Sequence, residues 1–209
     1  MRLFLIRHGQ TPSNILGALD TGHPGPGLTD LGSSQALALV DAFTKSPVEA
    51  LYASTLVRTQ HTAAPLAAAL GLDVDIRAGL HEIEAGALEM RTDRESIMTY
   101  VETAFAWSVG EYDRRMPDGP DGHDFFGRFD ADIEAISSAG VESAALVSHG
   151  AAIRVWVAHR SSGLHGDLAA DYVLRNTGIV ELEGSTDDGW RLVSWEGKPA
   201  VYDEESASA

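Results

Sequence analysis

Short, bulky apolar blocks alternate along this chain with longer stretches of helical spacing. Residues 2–6 hardly alternate in polarity, so they predict a fully buried strand. "EALYAS" (49–54), "DVDIR" (73–77) and "SAALVSHG" (143–150) predict three more, and two late strands fall near 178–183 and 190–195. Between them, "LTDLGSSQALALVDAFTKS" predicts a helix. Thr29 or Asp30 would cap it, and Leu31, Ala38, Leu39, Ala42 and Phe43 would form its apolar side. Residues 56–71 predict an Ala-rich helix that ends at Gly71 and is kinked at Pro65. Residues 92–115, 125–139 and 151–160 carry further helical patterns, and 8–27, 80–89 and 116–124 read as loops or turns.

Strands alternating with helices imply an α/β fold, a three-layer sandwich with a central, mostly parallel sheet flanked by helices. The expected organisation is a single domain over 1–196, with a lid at 90–118 and a flexible tail at 197–209.

Composition narrows the partners. There are 15 Lys and Arg against 31 Asp and Glu, a formal charge of −16. Such a chain is poorly suited to nucleic acid or to an anionic membrane. A small anion would need a local cationic pocket set against the global field. The chain has no cysteine, which excludes disulfides and thiolate chemistry. The apolar run Leu3–Ile6 is too short for a signal peptide, and no segment approaches the ~20 apolar residues of a membrane span. The expected setting is the cytoplasm.

The chemistry gathers at strand ends. In open α/β sheets ligands bind outside the carboxyl ends of the strands. The first strand runs into Arg7, His8 and Gly9, a later one into Ser148, His149 and Gly150, and Arg58 follows the second strand closely. Four such side chains in one pocket would repel one another unless an anion sat among them. A phosphoryl group suits them, because guanidinium forks match its oxygens and backbone N–H groups near Gly9 and Gly150 could add donors.

"LIRHGQT", "LYASTLVRTQHTA" and "ALVSHG", in this order, resemble the histidine phosphatase superfamily, also called the phosphoglycerate mutase-like family; the resemblance runs from Arg2 to about Leu182. It implies a covalent phosphohistidine mechanism with His8 as nucleophile and Arg7, Arg58 and His149 on the phosphoryl group. The family's acid lies in an L-x-E segment before a glycine. "LHEIEAGALE" puts Glu82 in that role, with Glu84 as the rival. Asn14, Thr21 and Gly22 match substrate-facing positions, and Asn176 matches an asparagine before a late strand. The usual E-G pair reads Glu89-Met90 here, and a G-E-S-like turn reads Gly122-His123-Asp124.

The resemblance implies no cofactor, and scattered histidines without cysteine argue against a metal site. His81, His123, His159 and His165 lack a partner pattern and read as structural, and His61 reads as packed or supporting. Trp107, Tyr112, Met98 and Met116 line the pocket or form lid core, with both readings open. The expected activity is that of a phosphomonoesterase acting on a small phosphorylated metabolite. The short interval between Glu82 and His149 favours it over a primer-dependent phosphoglycerate mutase, and intact chemistry favours it over a non-catalytic phosphate-binding protein. Nothing in the pattern sets an oligomeric state.

Overall fold

Strand β1 (Arg2–Arg7) has an unbroken apolar run because both of its faces are covered. Leu3 and Leu5 enter one hydrophobic layer, and Phe4 and Ile6 enter the other. β4 (Ser143–Ser148) does the same with Ala144 and Leu146 on one side and Ala145 and Val147 on the other. The computed structural model describes residues 1–44, 48–164 and 172–200.

The remaining strands are β2 (Ala50–Ser54), β3 (Val74–Arg77), β5 (Ser161–Ser162), β6 (Ile179–Ser185), β7 (Gly189–Trp195) and β8 (Lys198–Pro199). They form one sheet in the order β3-β2-β4-β1-β6-β7-β5, with β8 paired to β7. β1 to β4 are mutually parallel, and β6 and β7 add an antiparallel hairpin beside β1. The expected three-layer architecture is therefore present, with a mixed edge.

The helices are α1 (Pro12–Leu16), α2 (Asp30–Phe43), α3 (Val57–Leu70), α4 (Arg94–Ser108), α5 (Gly122–Ser137) and α6 (Gly150–Arg160). α2 and α3 cover the Phe4 and Ile6 face through Leu39, Phe43, Ala63 and Leu66. The other face lies under α4, α5 and α6, with Tyr100, Phe125 and Trp156 in its core.

Several boundaries move. Thr29 caps α2, but Leu31, Ala38 and Ala42 are exposed, while Gly32, Ala36, Leu39 and Phe43 face inward. Gly32 lies directly against the Gly9–Gln10 backbone, where a Cβ would collide, so the inward stripe follows steric fit as well as hydropathy. α3 ends at Gly71 in the left-handed conformation, as expected, and runs through Pro65 as one element. α4 stops at Ser108. α5 begins at Gly122, inside the predicted turn cluster, because Asp121 and Asp124 form a capping box.

The expected lid segment splits. Trp107 and Met116 are fully buried core, Met98 is exposed, and the Tyr112 hydroxyl bonds to His159. None of the four faces the candidate site, so the lid-core reading applies to Trp107 and Met116. The chain is still paired beyond residue 197: Lys198 and Pro199 add to β7 and the Ala200 N–H donates to the Val193 carbonyl. The expected tail thus starts later than 197, and residues 201–209 lie outside the described residues, as does His165. Among the described residues no helix is long and apolar enough to cross a membrane.

Candidate active site

Sheet order decides which side chains meet. β4 lies between β1 and β2, so the carboxyl ends of three successive strands stand side by side. Arg7 is level with Ser148, and Ala53 with Val147. The next residues, His8, His149 and Ser54, must therefore emerge at one edge. The His8 and His149 ring centroids are 5.2 Å apart, and Arg58 enters from the first turn of α3. A cavity of about 210 Å³ at this edge is lined by Arg7, His8, Arg58, Glu82 and Gly150, with Asp20 and one face of α4. A larger cavity, about 770 Å³, opens at the opposite edge around Met1, Arg2 and Glu142 and holds none of these groups.

His8 is 4% exposed. Its Nδ1 lies 2.7 Å from the Gly9 carbonyl oxygen. A carbonyl only accepts, so a neutral His8 carries its proton on Nδ1 and keeps the Nε2 lone pair free. Burial pushes the His8 pKa well below the usual histidine value, and the charges of Arg58 and Arg7 push it further down. His149 is fully buried and lowered likewise, first by burial and then by Arg58. Both rings are held neutral, and the carboxylates of Glu82 and Asp20 oppose the two arginines.

The donors are arranged around this pair. Arg7 Nη1 donates to the Leu174 carbonyl at 2.7 Å and Arg58 Nη2 to the Asp20 carbonyl at 2.8 Å. Arg7 Nε, Arg58 Nε and Nη1, and His149 Nδ1 are buried and have no hydrogen-bond partner among the described residues. Arg58 Nη1 lies 3.7 Å from Asp20 Oδ1 as an ion pair. Buried donors without hydrogen-bond partners are costly, and an oxyanion beside His8 can accept from the Nε–H groups of Arg7 and Arg58.

His149 lies behind the cavity wall and does not line it. Its Nε2 is 2.7 Å from Ser54 Oγ. Thr59 Oγ1 donates to the Ser54 and Leu56 carbonyls, which leaves the single Ser54 proton for His149 or for Thr59 Oγ1. When Ser54 donates to Nε2, His149 carries its proton on the open Nδ1. Ser54→Ala is expected to lower kcat/KM for p-nitrophenyl phosphate about 10-fold, the equivalent of one hydrogen bond. An unchanged value would remove Ser54 from the site.

Glu82 is fixed by the start of α6. Its Oε1 accepts from the Ala152 N–H at 2.8 Å and the Ile83 N–H at 2.9 Å, and its Oε2 accepts from Ala151 at 3.2 Å. Oε2 is thus the less committed oxygen. The half-buried Arg128 guanidinium donates to the Gly79, His81 and Glu82 carbonyls and fastens the whole loop. Glu84 is exposed and lies outside the cavity.

The softer candidates divide. Gly150 lines the cavity, and a Cβ there would come within 3.2 Å of Arg7 Nε. Gly9 does not line it. Its N–H donates to Thr62 Oγ1 at 2.9 Å, and a Cβ would meet the Gly32 carbonyl oxygen at 2.7 Å, so Gly9 serves close packing of α2 against the loop. Asn14 and Thr21 line the cavity. The Thr21 N–H and hydroxyl and the Gly22 N–H all go to Glu89, and Gly22 is outside the lining. Asn176 Nδ2 bridges the His8 carbonyl and Asn14 Oδ1.

His81 is buried beside His149, stacked on His23 and bonded to the Glu82 carbonyl. His123 faces Asp113, and His61 is exposed. Ser54, Asp20, Arg128 and the α4 wall were not among the candidates of the sequence. Only Ser54 left a signal, as the last residue of a strand that leads into Arg58.

The two buried neutral rings give stability a pH dependence of definite sign. Their folded pKa values lie below the unfolded value near 6.5, so below that pH the unfolded chain binds more protons and acid destabilises the fold. Each ring contributes a slope of about 1.4 kcal/mol per pH unit until its folded pKa is reached. His149→Gln should flatten the loss of urea stability between about pH 7.5 and about pH 5.5 by one such slope. Parallel profiles for variant and wild type would contradict a neutral buried His149.

A model of the histidine phosphatase superfamily (branch 1) matches residues 3–198. The chain belongs to that superfamily. It is similar to the PE-PGRS family protein PE_PGRS11 of Mycobacterium tuberculosis, with 35% identity over 210 residues covering 93% of this chain; it spans only 36% of that relative's length. It is 30% identical to the adenosylcobalamin/alpha-ribazole phosphatase of Salmonella typhimurium, covering 76% of this chain and 78% of that one. The solved alpha-ribazole phosphatase of Shigella flexneri superposes with a TM-score of 0.75 at 25% identity, covering 98% and 100% of the two chains. The relatives and structural neighbours thus include named phosphatases, and other relatives are named probable phosphoglycerate mutases.

Proposed function

We propose that this chain is a phosphomonoesterase that works through a covalent phosphohistidine on His8 and acts on a small phosphorylated metabolite. One observation carries the reading: the buried Nε–H groups of Arg7 and Arg58, without hydrogen-bond partners, and the His149 ring share one strand edge with a histidine whose neutral tautomer leaves Nε2 free. The Nε2 lone pair attacks phosphorus, and the bond from phosphorus to the alcohol oxygen breaks. Glu82 Oε2 takes up the proton that the phosphate ester brings as its monoanion and gives it to the departing oxygen. The arginines and the His149 Nδ1–H oppose charge on the transferring oxygens. A water then attacks the phosphohistidine while Glu82 takes its proton. The phosphorus–nitrogen bond breaks, the electron pair returns to Nε2, and phosphate leaves.

Gly150 contributes close backbone approach, and Asn14 offers its amide to the substrate. Thr21 and Gly22 act through Glu89 on the loop that carries Asp20, and so on Arg58. A chain without cysteine needs no oxidising compartment to fold, which supports the cytoplasmic setting.

The test is turnover of p-nitrophenyl phosphate, then of 3-phosphoglycerate with and without a bisphosphorylated primer, with trapping of phosphate on His8. Phosphate release without primer is expected. Conversion only with primer would make the protein a mutase. Silence in both, with unlabelled His8, would leave a binding protein.

A further inference from the structure

Five successive backbone carbonyls in the loop that carries Glu82 are each met by a side chain from another element. Arg128 Nη1 donates to Gly79 at 2.6 Å and to His81 at 2.7 Å, and its Nη2 donates to Glu82 at 2.7 Å. Ser148 Oγ donates to Leu80 at 2.7 Å and the Tyr100 hydroxyl to Ile83 at 2.8 Å. These donors come from α5, β4 and α4. Residues 81–85 have no regular structure of their own. Such a segment keeps one geometry only while its backbone groups are satisfied.

The packing of α5 brings the fork into reach. A Cβ at Gly79 would come within 2.2 Å of the Arg128 carbonyl oxygen, so the helix rests directly on the loop backbone. The Arg128 guanidinium lies 5.3 Å from the centroid of the buried Phe125 ring, which steadies it. Ser148 ends β4 one residue before His149 and is level with Arg7. Its bond to Leu80 therefore ties the loop to the two strands that carry the phosphoryl donors. Neither Arg128 nor Ser148 lines the cavity.

We propose that Arg128 is a positioning residue for proton delivery. By holding the Gly79, His81 and Glu82 carbonyls it sets Glu82 Oε2 at the departing oxygen, with Ser148 in support. It thereby sets how well esters with basic leaving groups are cleaved relative to activated ones. This rests on the reading of Glu82 as the acid. A misplacement of about 1 Å at a reacting group can cost about 10²-fold. Here the loss falls on leaving groups that need a proton and spares those that do not.

The test compares kcat/KM for ethyl phosphate and p-nitrophenyl phosphate on the full chain, with vanadate inhibition as the measure of the phosphoryl floor. Arg128→Ala should lower the ethyl phosphate value about 30-fold, and leave p-nitrophenyl phosphate and vanadate within about threefold of wild type. Guanidinium chloride at about millimolar concentration should recover part of the ethyl phosphate loss and leave wild type unchanged, because it refills the vacated fork. Ser148→Ala removes one hydrogen bond and should lower ethyl phosphate turnover about fivefold with p-nitrophenyl phosphate unchanged; it decides the matter if Arg128→Ala does not fold. On a Glu82→Gln background either change should add less than about threefold, since it acts through that carboxyl group.

Equal loss on both esters, no loss on either, or full additivity with Glu82→Gln overturns the inference and makes Arg128 a brace of the fold alone. If Glu82→Gln itself lowers both esters equally, the acid assignment falls first and this inference with it.

Discussion

His8→Ala should lower kcat/KM for every phosphate ester by at least about 10⁴-fold, the scale on which loss of a covalent nucleophile is felt. The effect is large because nothing in the cavity can replace it. The hydroxyls of Ser13 and Thr21 are committed to Asp20 and Glu89, and Thr11 caps α1. There is no cysteine. The oxyanion donors of Arg7, Arg58 and His149 stay in place, so the variant should still bind vanadate or inorganic phosphate within about 10-fold of wild type. Turnover within 10-fold of wild type, or phosphate trapped on another residue, would transfer the nucleophile's role.

Read in kcat/KM, which ends at phosphoryl transfer to His8 and so before Glu82 serves as base to water, Glu82→Gln separates proton donation from the later step. On alkyl esters, whose departing alkoxide needs a proton, the loss should be about 10²–10⁴-fold, the usual worth of general acid catalysis. On p-nitrophenyl phosphate, whose phenolate leaves unaided, it should stay within about 10-fold. Gln keeps the Oε1 contacts to Ile83 and Ala152 but sets an amide N–H₂ against the Ala151 N–H, which costs about 1 kcal/mol of orientation. Glu84→Gln, on the exposed side of the same loop, should change neither rate. Equal loss on both ester classes would move the acid elsewhere, and Asp20 is the other carboxylate that lines the cavity.

The donor set was legible in the chain because it sits at strand ends. An apolar run that terminates in Arg7-His8-Gly9 or Ser148-His149-Gly150 can only present those residues at a sheet edge. Residues that hold the donors in place left almost no such mark. Arg128 reaches the Glu82 loop across 46 residues of sequence, and Glu89 reaches Thr21 across 68. Their contacts exist only once α5 and the loop after β3 have packed. Gly9 shows the converse: the RHG triplet suggested a backbone donor to phosphate, yet its N–H belongs to Thr62 and its missing side chain to Gly32. The stripe of α2 misled for a related reason, since apolar spacing ignores how closely a helix must approach.

By itself, the order of residues determined the layered architecture and the His-Gly strand ends and suggested a phosphoryl anion, because each follows from local periodicity and from the chemistry of a few side chains. Folding alone decided that both histidines are buried and neutral, and that Asp20, Tyr100 and Arg154 join the cavity wall. Those outcomes depend on distances between segments far apart in the chain. Burial and pairing are properties of the packed ensemble of side chains, which no short stretch of sequence contains.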